Sequence, residues 1–190
     1  SDLAVSRAEV TDNTFVMVIG CGMVGLGAVM RASLRGAIVI AADIDDEKLA
    51  LAKEAGATYA VNTMTEDVHQ RIQEITGGYG ADVVIEAVGS PATYVMAVNE
   101  VGFTGRVVCI GYAKSEVAFQ TKLFVQKELD IRGSRNATPS DFRAVINCIN
   151  TGRYPIEKFI SKVVTPEETP DAMKDWSENP GKIFRILVEF

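Results

Sequence analysis

The chain has 190 residues, 47% of them hydrophobic, which is enough for one full domain with a large core and a small appendage, but not for two domains. A net charge of -6 argues against a nucleic-acid partner, because binding a polyanion needs clustered Lys and Arg. Cys21, Cys109 and Cys148 are odd in number and far apart, so they read as reduced thiols of a cytoplasmic protein. No apolar run is long enough to span a bilayer, and no membrane partner is expected.

The opening SDLAVSRAEVTDN has neither a basic n-region nor an apolar h-region, so it does not read as a targeting segment. From Phe15 onward, apolar runs of strand length alternate with helical periodicity, the pattern of a parallel sheet covered by helices. FVMVI (15–19) is the first strand. After a cluster of glycines, VGLGAVMRASLR (24–35) is a helix stopped by Gly36. AIVIAAD (37–43) is the second strand. DEKLALAKEAG follows as an acid-opened amphipathic helix with Leu49, Leu51 and Ala52 on its apolar side, and ATYAVN is a short third strand.

In TEDVHQRIQEITGG (65–78), the spacing of Val68, Ile72 and Ile75 predicts an amphipathic helix ended by glycines. ADVVIEAVGS is a fourth strand running into a Gly turn. The helix PATYVMAVNEV, the strand RVVCIGY, the helix QTKLFVQKE and the strand LDIRGS complete six strands with five crossovers. The expected fold is α/β: a doubly wound Rossmann domain over residues 13–152, with a six-stranded parallel sheet of order 3-2-1-4-5-6. DFRAVINCINTGR adds one more helix. FISKVVT, a helix around PDAMKDW and FRILVEF then form a β-α-β tail (153–190) that needs a sheet to join.

VIGCGMVG places Gly20, Gly22 and Gly25 in a G-x-G-x-x-G pattern between that first strand and its helix. Glycines also cluster in turns for steric reasons alone, so context decides. Here Gly20 suits the tight turn, Gly22 the approach of a pyrophosphate to the backbone, and Gly25 close helix–sheet packing. Asp43 ends the next strand 18 residues after Gly25, against a fingerprint spacing of about 20, where a carboxylate accepts ribose hydroxyls. The alternative is that Asp43 only caps the following helix. With Asp45 and Asp46 it would repel a 2′-phosphate, which favours NAD(H) over NADP(H). Lys48 is either a ribose donor or a solvated helix residue.

Ligands of open α/β sheets bind beyond the carboxyl ends of the strands, so later strand ends are candidates too. Ala87, Val88, Gly89 and Ser90 end the fourth strand and Ile110, Gly111 and Tyr112 the fifth. In both, a Gly permits close approach of a nicotinamide and its ribose, or simply makes a turn. Ser134, Arg135 and Asn136 end the sixth with groups suited to a carboxamide, a phosphate or an acidic substrate. Arg135 could equally pair with a surface carboxylate.

VMVIGCGMVGLGAVMRA, IVIAADIDDEKLALAKEAGATYAVN, GADVVIEAVGSPAT, GRVVCIGY, KELDIRGSRNA and GKIFRILVEF, in that order, resemble the medium-chain dehydrogenase/reductases, in particular the zinc-dependent alcohol, polyol and sugar-acid dehydrogenases. The resemblance implies a cofactor site with Gly20, Gly22, Met23 and Val24 at the pyrophosphate, Asp43 and Lys48 at the adenosine ribose, and Val88, Ile110 and Ser134 near the nicotinamide. Gly25, Ile44, Ala87, Gly89, Gly111 and Arg135 are expected to complete the cofactor site. It also implies a homo-oligomer paired through the sixth-strand edge, and an alcohol, polyol or sugar-acid substrate.

The family's catalytic zinc ligands have no counterpart in this chain. The one His, His69, falls on a helix without a nearby Cys, and no C-x-x-C occurs. No catalytic or metal-ligating residue is therefore expected here. The chain looks like the C-terminal portion of a longer enzyme whose absent domain would carry the zinc and receive the tail. A stand-alone NAD(H)-sensing module and an S-adenosylmethionine-dependent methyltransferase, which also joins a Gly-rich loop to an acid after its second strand, are the other readings.

Overall fold

A computed structural model describes residues 1–153, 156–179 and 182–190. The chain forms two compact units, Ser1–Ile146 and Asn147–Phe190. Residues 154, 155, 180 and 181 of the expected tail, including Gly181 of the GKIFRILVEF segment, lie outside the described residues.

In the first unit, β1 (Phe15–Ile19), β2 (Ile38–Asp43), β3 (Tyr59–Asn62), β4 (Ala81–Glu86), β5 (Val101–Cys109) and β6 (Asp130–Gly133) build one sheet in the order β3-β2-β1-β4-β5-β6. Every pairing is parallel. This is the expected doubly wound sheet. β1 reads as an unbroken apolar run because both its faces are covered. Met17 and Ile19 join a cluster with Ile40, Val61, Val84, Val107, Ile72 and Ala97, while Val16 and Val18 are buried on the opposite pleat.

The helices α2 (Met23–Ser33), α3 (Asp46–Glu54), α4 (Val68–Thr76), α5 (Pro91–Glu100) and α6 (Lys122–Gln126) fall where periodicity puts them. Their ends follow from capping groups. Asp45 caps α3 by accepting from the N–H groups of Glu47 and Lys48, Asp67 caps α4, and Gly77, at φ 65°, ends α4. Ser90 and Thr93 form a reciprocal box at the start of α5.

The first unit also includes α1 (Asp2–Arg7), formed by DLAVSR, which is too short to carry a periodic signal. Its Ala4 and Val5 are buried, Asp2 pairs with Arg31, and its last carbonyls receive guanidinium donors, Arg132 to Arg7 at 2.7 Å and Arg106 to Ala8 at 2.7 Å. The division between the units falls after Ile146, inside α7 (Pro139–Asn150).

The second unit holds β7 (Lys162–Val164), α8 (Thr169–Glu178) and β8 (Ile186–Val188), the expected β-α-β order. β7 and β8 pair in parallel, and Lys162 bridges to Asp175 of α8. Phe159, Ala172 and Ile183 are its buried apolar residues.

Candidate functional site

The sheet order reverses between β1 and β4, and the chain leaves both strands at the same end. Gly20 N–H extends pairing to β2 by donating to Ala42 O at 2.8 Å, and Ala87 N–H extends it to β4 by donating to Ile19 O at 2.9 Å. Beyond these ends lies a cavity of about 520 Å³. One wall carries Asp43, Ile44, Lys48 and Thr63 of the β2 and β3 side. The other carries Ala87, Val88, Ser90, Ala92, Thr93 and Met96 of the β4 exit and α5. Gly20 and Gly22 lie between them.

The three glycines serve different ends. Gly20 sits at φ 92°, the left-handed region that favours glycine. A Cβ on Gly25 would stand 1.6 Å from Gly20 O, so this glycine lets α2 start directly against the loop. A Cβ on Gly22 would meet nothing within 4 Å. Gly22 is thus a bare stretch of backbone facing open space, at the start of a helix that no side chain caps. First-turn N–H groups and the positive end of the helix dipole suit an anion in that position.

Asp43 does not cap α3; Asp45 does. The Asp43 carboxylate accepts instead from Cys21 N–H at 2.6 Å, Ile44 N–H at 2.8 Å and Asp45 N–H at 3.1 Å, which ties the Gly-rich loop to the end of β2. A carboxylate offers about four acceptor positions, so capacity remains for a hydroxyl from a ligand in the cavity. Asp46 is engaged with Asn62, leaving Asp43 as the acid of this trio that faces the cavity. Lys48 lines the same wall rather than standing apart on the helix surface. Burial first, and Asp43 second, push the Cys21 thiol up to about 12, so the loop cysteine is a packed, protonated thiol.

The remaining sequence-predicted residues fall elsewhere. Met23, Val24 and Gly25 form the first turn of α2, while Gly89, Ile110, Gly111, Ser134 and Arg135 lie outside the cavity walls. A Cβ on Gly111 would come 2.4 Å from Gly89 N, and one on Gly89 would come 2.7 Å from Tyr112 N. The close approach that these glycines permit is between the two strand exits themselves. Ser134 N–H donates to Cys109 O at 2.8 Å and so continues the β5–β6 pairing, and Arg135 is exposed.

Sequence reasoning passed over Thr63, Ala92, Thr93 and Met96, and the buried Glu86 behind them; Ser90, read as part of the fourth strand's end, does line the cavity. Ser90-Pro91-Ala92-Thr93 carried a helix-start signal, and Glu86 is an acid at the end of the apolar run Val83-Val84-Ile85. His69 is two-thirds exposed and meets Glu100 at 3.0 Å. Among the described residues no group of three or more His, Cys, Asp or Glu side chains is disposed to hold a metal ion.

Residues 23–151 match the family described as zinc-binding dehydrogenase. The chain belongs to the zinc-binding dehydrogenase family. It is 33% identical over 187 residues to an uncharacterized zinc-type alcohol dehydrogenase-like protein of Haemophilus influenzae, covering 98% of this chain and 54% of that protein. It is 36% identical over 157 residues to an erythritol/L-threitol dehydrogenase of Mycolicibacterium smegmatis, covering 82% and 43%. Its structure resembles that of the alcohol dehydrogenase TADH from Thermus sp. ATN1, with a TM-score of 0.90 at 28% identity over 99% of this chain and 55% of that one. A short chain alcohol dehydrogenase of Escherichia coli, solved in complex with NADH, has a TM-score of 0.90 at 26% identity over 99% and 56%. This dehydrogenase-family chain thus spans about half the length of the relatives it matches, and the family assignment sets the methyltransferase reading aside. Among the described residues, no helix is long and apolar enough to cross a membrane.

Proposed function

We propose that the cavity binds NAD(H), and that this chain is the cofactor-binding portion of an alcohol, polyol or sugar-acid dehydrogenase. The observation that carries the reading is the pairing of Gly22, bare backbone at an uncapped helix start, with Asp43, a carboxylate on the same cavity. In this reading the pyrophosphate lies over the start of α2, and the adenosine ribose donates to Asp43 beside Lys48. The adenine lies between Ile44 and Thr63 on one side and Ser90 and Met96 on the other. The negative charge of Asp43 disfavours a 2′-phosphate and selects NAD(H) over NADP(H).

In the same reading the nicotinamide extends past Val88 toward the exits of β5 and β6, where Ile110, Ser134 and Arg135 stand. Hydride transfer to or from a secondary alcohol then requires a zinc-bearing portion, which we assign to sequence outside this chain. We further propose pairing of two copies through the edge strand β6, whose Ile131 is about half exposed. Cysteines that form no disulfide among the described residues suit a cytoplasmic setting.

The test is a fluorescence titration of this chain with NADH, alongside NADPH and S-adenosylmethionine. Saturable NADH binding, with NADPH weaker by about tenfold or more, is expected. Absence of NADH binding, or preference for S-adenosylmethionine, refutes the reading.

A further inference from the structure

Glu86 is the last residue of β4 and its side chain is wholly buried. A carboxylate out of water is costly unless hydrogen bonds compensate, and here they are one-sided. Oε1 accepts from Val88 N–H at 2.9 Å, Gly89 N–H at 2.8 Å and the Thr93 hydroxyl at 2.8 Å. Oε2 has no partner among the described residues. The main-chain carbonyl of the same residue accepts from Ile110 N–H at 2.8 Å and Gly111 N–H at 3.2 Å.

One residue thereby gathers three pieces of chain: the turn after β4, the first turn of α5, and the exit of β5. The turn holds Gly89 at φ 82°, so it does not keep its shape by default. Val88 and Thr93, both donors or neighbours of donors to Glu86, belong to the cavity wall that faces Asp43 and Ile44. The pairing of Gly89 with Gly111 and the Tyr94 hydroxyl, which donates to Gly111 O at 2.6 Å, lock the same wall from behind.

We propose that Glu86 is a positioning residue of the nucleotide site: a buried acceptor, one oxygen of which holds the cavity wall opposite Asp43 in its binding shape. The proposal rests on the nucleotide reading of the cavity. Because all three donors converge on Oε1, an amide oxygen in that place performs the same task, whereas loss of the acceptor, or its withdrawal by one methylene, releases the turn.

The experiment titrates NADH and AMP into the wild type, Glu86→Gln, Glu86→Asp and Glu86→Ala, with circular dichroism and urea midpoints confirming that each is folded. Glu86→Gln is expected to bind both within about threefold of wild type, and Glu86→Ala and Glu86→Asp to lose about tenfold or more. Wild-type affinity in Glu86→Ala, or equal losses in Glu86→Gln and Glu86→Ala, overturns the proposal. Should Glu86→Ala fail to fold, Glu86→Asp is read against the same limits. Amide exchange in the ligand-free wild type gives a reading that no variant can spoil. Val88 and Gly89 are expected to be protected, and fast exchange at both overturns the proposal. A wild type that binds neither NADH nor AMP refutes the nucleotide reading instead, and the exchange result still decides whether Glu86 holds the turn.

Discussion

Alanine placed at Gly22 and at Gly25 separates what the loop needs for folding from what it needs for its ligand. At Gly22 the backbone lies at φ -71° and ψ -175°, ordinary extended geometry for any residue, and the new Cβ meets nothing within 4 Å. Ala is a poorer helix N-cap than Gly, at a cost of roughly 1 kcal/mol, but reduced freedom of the unfolded chain offsets about 0.4–1 kcal/mol of it. The stability of Gly22→Ala should therefore stay within about 0.5 kcal/mol of wild type. Its methyl group, however, stands where a pyrophosphate would contact backbone N–H groups. Losing one charge-assisted hydrogen bond there, at about 1.5–3 kcal/mol, weakens NADH binding by tenfold to roughly a hundredfold. At Gly25 the Cβ would lie 1.6 Å from Gly20 O and 2.8 Å from Gly20 C. Backbone must move by roughly 1.4 Å to reach even the shortest tolerable contact, so this variant should lose about 3 kcal/mol or more of stability together with binding. Urea unfolding and NADH titration of both variants make the comparison. Gly22→Ala binding NADH like wild type, or Gly25→Ala as stable as wild type, would refute the reasoning.

Asp43→Asn should weaken NADH by about 1–3 kcal/mol while narrowing the preference over NADPH, since the amide no longer repels a 2′-phosphate; titrations with both cofactors read this, and an unchanged preference counts against Asp43 as the selector. Burial raises the Cys21 thiol to about 12 and the Cys109 thiol to about 11, so both stay protonated at neutral pH and should resist iodoacetamide until the chain is unfolded. Peptide mapping that finds Cys21 alkylated in the native protein as fast as a free thiol would contradict the packed loop. Arg132 holds the carboxyls of Glu9 and Asp130 below their ordinary range, so their contribution is present above the usual carboxylate pKa values and disappears as pH falls through the lowered ones. Arg132→Met should speed amide exchange in α1 at neutral pH, and exchange in the wild type should approach that of the variant in acid.

The sheet was legible because its strands are covered on both faces. Continuous apolar runs such as VMVI and VVI have no other use in a chain of this size, and the crossovers between them carry helix periods and caps in plain view. What escaped were elements whose stability is tertiary. α1 has only 6 residues and is fixed by Arg106 and Arg132, which lie about a hundred residues away in sequence, so no local window contains the cause of its folding. β5 likewise begins at Val101, earlier than RVVCIGY suggests, because the glycines of VGFTG bring its backbone against that of Tyr79 and Asp82.

The site divides along the same line. Asp43 was found because it stands at the end of a strand at a recognisable spacing from the glycines, whereas Glu86 was missed because two of its three donors are backbone N–H groups, which have no letter in a sequence. Gly22, Gly89 and Gly111 show why residue type alone could not finish the task. Each was read as making room for something, but the space at Gly22 opens onto the cavity, while the space at Gly89 is filled by the backbone of Tyr112 and that at Gly111 by the backbone of Gly89. A strand-end glycine signals a close approach; only the fold tells whether the approaching group is a ligand or the neighbouring turn. In this chain the two kinds are connected, because the turns that meet at Gly89 and Gly111 are the ones Glu86 holds together, and they support one wall of the cavity that Gly22 and Asp43 complete.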